Sequence, residues 1–244
     1  MLNFITIFLA LLFTTTSFAK IDKTETLNGV VLKSGKHKAV RSFVGMTEKK
    51  LPYPLKLVLK SVTNFTEKCN NNFKSKRKFT PKNLNCRYHN ENLVESFIVK
   101  DIRKNEDAKK FTEYYLIGRQ VYNRGSFGYY ELVTIHDGLN DKKQKTSKIL
   151  LKMLNDKEVS LFTTPKVKKE SAFDTSISTY TITELSPNET HLKYEYTAET
   201  DHWLLNKEVS VPQVFASISK SINDLVATVE NESSRQKREL ASQK

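Results

Sequence analysis

The sequence predicts an α+β protein in which a long antiparallel β-sheet is closed by one C-terminal amphipathic helix. Three observations carry that expectation. In 211–229, Val214, Phe215, Ile218, Ile222, Leu225, Val226 and Val229 recur every three or four residues, the spacing of one helical face. From Asn83 onward the pattern changes to short strand-like runs. Three pairs of these runs flank short turn-like connections, and consecutive hairpins make a meander.

Residues 1–19 carry no charged side chain, and 4–13 is apolar but for Thr6. Ser17, Phe18 and Ala19 then offer small residues at the positions a signal peptidase reads. A signal peptide over 1–19 is expected, with cleavage near Ala19 and an exported product, periplasmic or secreted. An uncleaved anchor is the other reading, although the apolar run is shorter than the ~20 residues a membrane span prefers. Residues 20–230 read as a single domain, and 231–244 as a fraying helix end or a disordered polar tail.

Within the domain, 20–26 reads as a loose arm. The stretch 29–46, with a Ser34-Gly35 turn signal, reads as two short strands or one bent one at a sheet edge. Pro52 and Pro54 punctuate the start of a helix on which Leu55, Val58, Leu59, Val62, Phe65, Cys69 and Phe73 share a face. Runs 111–122 and 127–136 flank Asn123-Arg124-Gly125-Ser126. Runs 149–154 and 159–163 flank Asn155-Asp156-Lys157, and 180–185 and 190–196 flank Ser186-Pro187-Asn188-Glu189. A further short strand at 203–209 leads to the helix, with Ser210 placed to cap it and Pro212 in its first turn.

Cys69 and Cys86 are the two cysteines of the chain. In an oxidising compartment an isolated pair reads first as a disulfide, a constraint worth about 2–4 kcal/mol. The net charge is +13, and the excess sits in the N-terminal part. It is densest over 60–87, where eight basic residues face the single acid Glu67. Lys74, Lys76, Arg77, Lys78, Lys82 and Arg87 belong to that stretch, with Phe73 and Phe79 beside it. It reads either as a solvated face or as a surface for an anionic membrane or envelope polymer. Nucleic acid would answer the charge but not the expected export, and no DNA- or RNA-binding signature is present.

The strand faces bear on what the interior holds. In 190–199, Leu192, Tyr194, Tyr196 and Ala198 alternate with polar residues, a half-buried pattern. In 111–122 both faces are greasy and both carry phenols. Tyrosines with an apolar body and a polar tip suit a cavity wall, and they are equally at home as ordinary sheet aromatics.

This order (an N-terminal strand region, a helical insertion, a long meander, a short Asp201-His202-Trp203-Leu204-Leu205 link and one long closing helix) resembles the START-like (SRPBCC) helix-grip superfamily over about 29–229. The resemblance implies a curved sheet gripping the C-terminal helix, with an apolar cavity between them that commonly holds a lipid, sterol or other hydrophobic molecule. The strand and helix parity then places Tyr115, Ile117, Tyr130, Leu132, Tyr194, Tyr196, Phe215, Ile218, Ile222 and Leu225 as the lining. The superfamily has no short diagnostic motif, so no functional residue carries over one by one.

The sequence holds no nucleophile elbow, no zinc-protease helix, no Walker loop and no dinucleotide fingerprint. The five histidines show no metal-ligand spacing, so neither metal nor cofactor is expected. Three readings follow. The first is an exported carrier of a hydrophobic small molecule. The second is a basic protein docking on an anionic envelope component, and the third a cyclase-type enzyme with an acid–base group such as Asp201, His202 or Glu131 in its cavity.

Overall fold

Asn28 and Gly29 both hold positive φ, 52° and 78°. That is the geometry of a tight two-residue hairpin turn, which Asn-Gly adopts at little steric cost. It folds β1 (Lys20–Leu27) onto β2 (Val30–His37), so the stretch expected to be a loose arm is the edge strand of the sheet. Its alternating charges are what an edge strand tolerates, since one side of it faces water. Ser34 and Gly35 lie inside β2 rather than at a turn. The chain reverses instead at Lys38 (φ 55°) into β3 (Val40–Leu51).

The computed structural model of the protein describes residues 20–64, 67–68, 93–101, 113–122, 126–162 and 173–243. After β3 comes α1 (Leu55–Thr63), with Pro54 at its N-cap position, where a missing N–H costs nothing. Leu57, Val58, Ser61 and Val62 form its buried face. The helix ends at Thr63, short of the expected stripe, whose Phe65, Cys69 and Phe73 lie outside the described residues. Glu67–Lys68 is a two-residue strand, β4, paired with β5 (Leu93–Asp101). Cys69, Cys86 and the basic residues Lys74, Lys76, Arg77, Lys78, Lys82 and Arg87 lie outside the described residues.

The meander follows. β6 (Glu113–Tyr122) pairs with β7 (Ser126–Leu139), and β7 with β8 (Lys145–Leu154). The second expected hairpin is absent, because Asn155 opens a short helix, α2 (Asp156–Ser160). Its side chain accepts from Glu158 N at 3.0 Å, while Glu158 Oε2 accepts from Asn155 N at 2.9 Å. This reciprocal capping box satisfies two otherwise orphaned donors and favours the helix over a two-strand turn. β8 pairs instead with β9 (Thr175–Ser186), and β9 with β10 (Glu189–Thr200) through the expected hairpin.

Among the described residues the strands form one antiparallel ten-stranded sheet in the order β1-β2-β3-β10-β9-β8-β7-β6-β5-β4. The join that closes the order is β3 against β10, in register from Thr190 opposite Leu51 to Thr200 opposite Arg41. The stretch 203–209 is not a strand: it turns and ends in a 3₁₀ helix, Glu208–Ser210. Ser210 does not cap the helix that follows. Its backbone is already helical, and its Oγ donates to the Leu204 carbonyl at 2.8 Å.

The closing helix, α3 (Val211–Ser242), runs 32 residues, beyond the last apolar residue of the expected stripe. The helix runs on through 231–242, the stretch expected as a fraying end or a disordered tail. Ser233 and Gln236 are buried against α1, with Ser233 Oγ 3.0 Å from Ser61 Oγ and Gln236 Nε2 donating to Ser61 Oγ at 3.3 Å. A polar contact thus continues the helix pair where the hydrophobic stripe stops.

The sheet has two covered faces. On the inner face Phe43, Ile117, Val133, Ile149, Ile182 and Leu192 form one core with Phe215, Ile218, Ile222 and Val226 of α3. On the outer face Leu116, Tyr130, Leu132 and Leu154 gather around Val159 of α2. Among the described residues no helix is long and apolar enough to cross a membrane.

Candidate ligand-binding face

α3 lies against β1, β2, β3 and α1, while α1 lies against β9 and β10. The inner face of the meander continues from there, and cross-strand register fixes what it presents, because directly opposed residues share a face. Tyr196 stands opposite Ser178, Ser178 opposite Leu151, and Leu151 opposite Val133. One row further, Tyr194 stands opposite Tyr180, Tyr180 opposite Ile149, and Ile149 opposite Ile135. In these two rows the wall is apolar at β7 and carries phenols and hydroxyls toward β10, and Glu131 adds a carboxylate on the same face further along β7.

Those polar groups are tied to one another. Tyr194 Oη donates to Ser178 Oγ at 2.9 Å, and the Tyr180 and Tyr194 rings lie 4.8 Å apart, tilted by 59°. The Tyr196 phenol is pushed well above its ordinary value. Burial is the largest cause, followed by the neighbouring Tyr194, Tyr129 and Glu131, while a hydrogen bond with Ser176 opposes the rise. Yet Tyr196 is only half-buried, as are Tyr129, Glu131, Ser176 and Ser178. Tyr196 therefore lies at the margin of the inner core, packed against it without being fully covered.

Of the residues expected to line the interior, Ile117, Tyr194, Phe215, Ile218 and Ile222 sit in the inner core, with Tyr196 and Leu225 packed against it. Tyr130 and Leu132 do not join them. They point to the outer face, and Glu131, Val133 and Ile135 take the inner positions of β7. The reason is that β7 is apolar on both faces, Tyr129 and Tyr130 being followed by Leu132 and Val133, so alternation gives no parity. The backbone of Tyr115 opposes Val133, and its side chain lies outside the described residues. Sequence reasoning missed Ser176, Ser178 and Tyr180; their period-two spacing matched to Tyr194 and Tyr196 across the β9–β10 hairpin was the available signal.

No cluster of three or more His, Cys, Asp or Glu able to hold a metal occurs among the described residues. What the inner wall can do is hydrogen-bond one or two polar atoms of a molecule that is otherwise apolar.

No family model matches the chain, and no curated protein matches its sequence. Solved structures do match its shape. Human STARD10 superposes with a TM-score of 0.55 at 10% identity, over 97% of this chain and 84% of that one. The fold is START-like. Human StAR-related lipid transfer protein 5 superposes with a TM-score of 0.46 at 12% identity, over 96% and 94% of the two chains. A STAR-related lipid transfer protein from Xanthomonas axonopodis gives 0.47 at 9% identity, over 88% and 97%. At 10% identity the likeness to STARD10 is one of fold, and the side chains of the inner wall are this chain's own.

Proposed function

We propose that this protein binds a lipid or other hydrophobic small molecule between the inner face of the sheet and α3, in an exported form lacking residues 1–19. The observation that carries the reading is the mixed wall around Tyr196: a partly uncovered phenol opposite Ser178 which, with half-buried Tyr129, Glu131 and Ser176, borders the apolar inner core. Pockets for amphiphilic molecules combine such a dominant apolar surface with a few convergent polar groups. The START-like fold supports the same reading, since the resemblance implies a cavity in this position.

The test is mass spectrometry of an organic extract of the purified protein, followed by titration with a fluorescent sterol and a fluorescent phospholipid. A co-purifying hydrophobic molecule, or saturable uptake of either probe that Tyr196→Trp weakens by filling the recess, is the expected result. An empty extract together with no uptake of either probe would refute the reading.

A further inference from the structure

The loop between β10 and α3 turns apolar side chains outward. Trp203 is 68% exposed, Leu204 45% and Val209 77%. Trp203 is the one tryptophan of the chain, and a tryptophan this exposed needs a physical reason.

The loop is held in that position. Arg41, itself buried on β3, donates from Nε to the Asn206 carbonyl at 3.2 Å and from Nη1 to Asp22 Oδ2 and Ser34 Oγ, both at 2.8 Å. Asn206 Nδ2 donates to the Ala39 carbonyl, and Ser210 Oγ to that of Leu204. These bonds fasten the loop to the β2–β3 hairpin, with the Trp203 ring on its exposed side.

Basic groups stand beside the apolar ones. Lys207 Nζ sits 4.8 Å above the Trp203 ring centre. Lys36 shares with Trp203, Asn206, Lys207 and Glu208 a surface recess of ≈ 450 Å³, and Lys38 follows on the hairpin tip next to Val40, which is 39% exposed. Among the described residues neither Lys36 nor Lys38 makes a salt bridge. The acids at this end are Glu208 in the recess, Asp22, which is paired with Arg41, and Asp201 beside Asp174, while Lys20 stands opposite Lys36 on the neighbouring strand.

We infer that this end of the molecule is a docking surface for an anionic phospholipid bilayer. Trp203, Leu204 and Val209 enter the headgroup region, and Lys36, Lys38 and Lys207 meet the lipid phosphates. An indole prefers that interface because its ring is apolar and its N–H is polar. Lysines at its rim keep their charge among the headgroups while their stems lie along apolar surface. The inference goes beyond ligand binding and needs nothing of the interior, so an empty extract would leave it standing.

Trp203 is its own reporter. Vesicles of phosphatidylcholine with about 30% phosphatidylserine should shift its emission to the blue, and lipids brominated in the acyl chains should quench it. About 0.5 M NaCl should reverse both changes, because the screening length there falls to only a few Å. Lys36→Gln with Lys207→Gln should weaken partitioning roughly 25-fold, about fivefold per charge. Val209→Asp, which keeps the reporter and alters a largely exposed position, should weaken it by about tenfold or more. The inference is overturned if the protein does not bind the vesicles, or if it sediments with them while Trp203 emission stays unchanged. A blue shift produced equally by inorganic phosphate would also overturn it, by showing a small-anion site in place of a bilayer dock.

Discussion

Gly45 of β3 lies so close beneath Ile222 of α3 that a Cβ added to it would stand 2.6 Å from Ile222 Cδ1 and 2.8 Å from Ile218 Cγ2. Here the helix touches the backbone of the sheet, and the missing side chain sets the depth at which α3 sits. Gly45→Val should cost about 1–3 kcal/mol of stability, the range for overpacking a filled core. Adding Ile222→Ala should return part of that loss. Urea denaturation of the single and double variants checks both outcomes.

Ionisation of Tyr196 makes stability fall with rising pH. Its folded phenol holds the proton well above the ordinary value of 10.0, whereas the unfolded phenol releases it there. Above that value the folded state binds more protons than the unfolded one, so stability drops by roughly 1 kcal/mol per pH unit until the folded phenol ionises too. Below it the contribution is fully present. Tyr196→Phe should remove this slope, which paired urea titrations on either side of the ordinary value would read.

Arg41 holds two parts of the chain at once. Its replacement by Met would strip partners from Asp22, from Ser34 and from the Asn206 carbonyl. A loss of about 2–4 kcal/mol is expected, at the lower end because Asp22 keeps some contact with water. Amide exchange over 204–210 should quicken more than exchange in α1, since only the former is fastened by this guanidinium.

The polar half of α3 contributes to the fold as well. Ser233→Ala should cost about 1 kcal/mol, through the hydrogen bond to Ser61 and the partner it leaves unsatisfied. Truncation after Glu230 should cost more, because Gln236 is lost with it. Thermal unfolding of both variants would rank them.

How much of this was legible depended on how local each signal was. The stripe of 211–229 and the β6–β7 and β9–β10 hairpins could be read directly, because their partners are sequence neighbours. The pairing of β3 with β10 could not, since nothing in 40–51 marks 189–200 as its partner. Asn155 and Glu158 were legible in principle, as a capping box, but the flanking apolar runs favoured a hairpin. The continuation of α3 was hidden for a different reason. Ser233 and Gln236 look like tail residues until Ser61, far away in the chain, supplies what they bond to. The interior was half readable: β10 announced its parity through clean alternation, whereas β7, greasy on both sides, did not.

The order of strands also sets a timetable. β1, β2 and β3 leave the ribosome first, yet the free edge of β3 finds its mate only when β10 has been made. Until then the ribbon exposes unpaired backbone and the greasy side that α3 will cover. Such long-range closure slows folding and invites wrong pairing meanwhile. A chain stopped short of Glu189 has no means of zipping its two ends together, and its natural fate is aggregation or a chaperone.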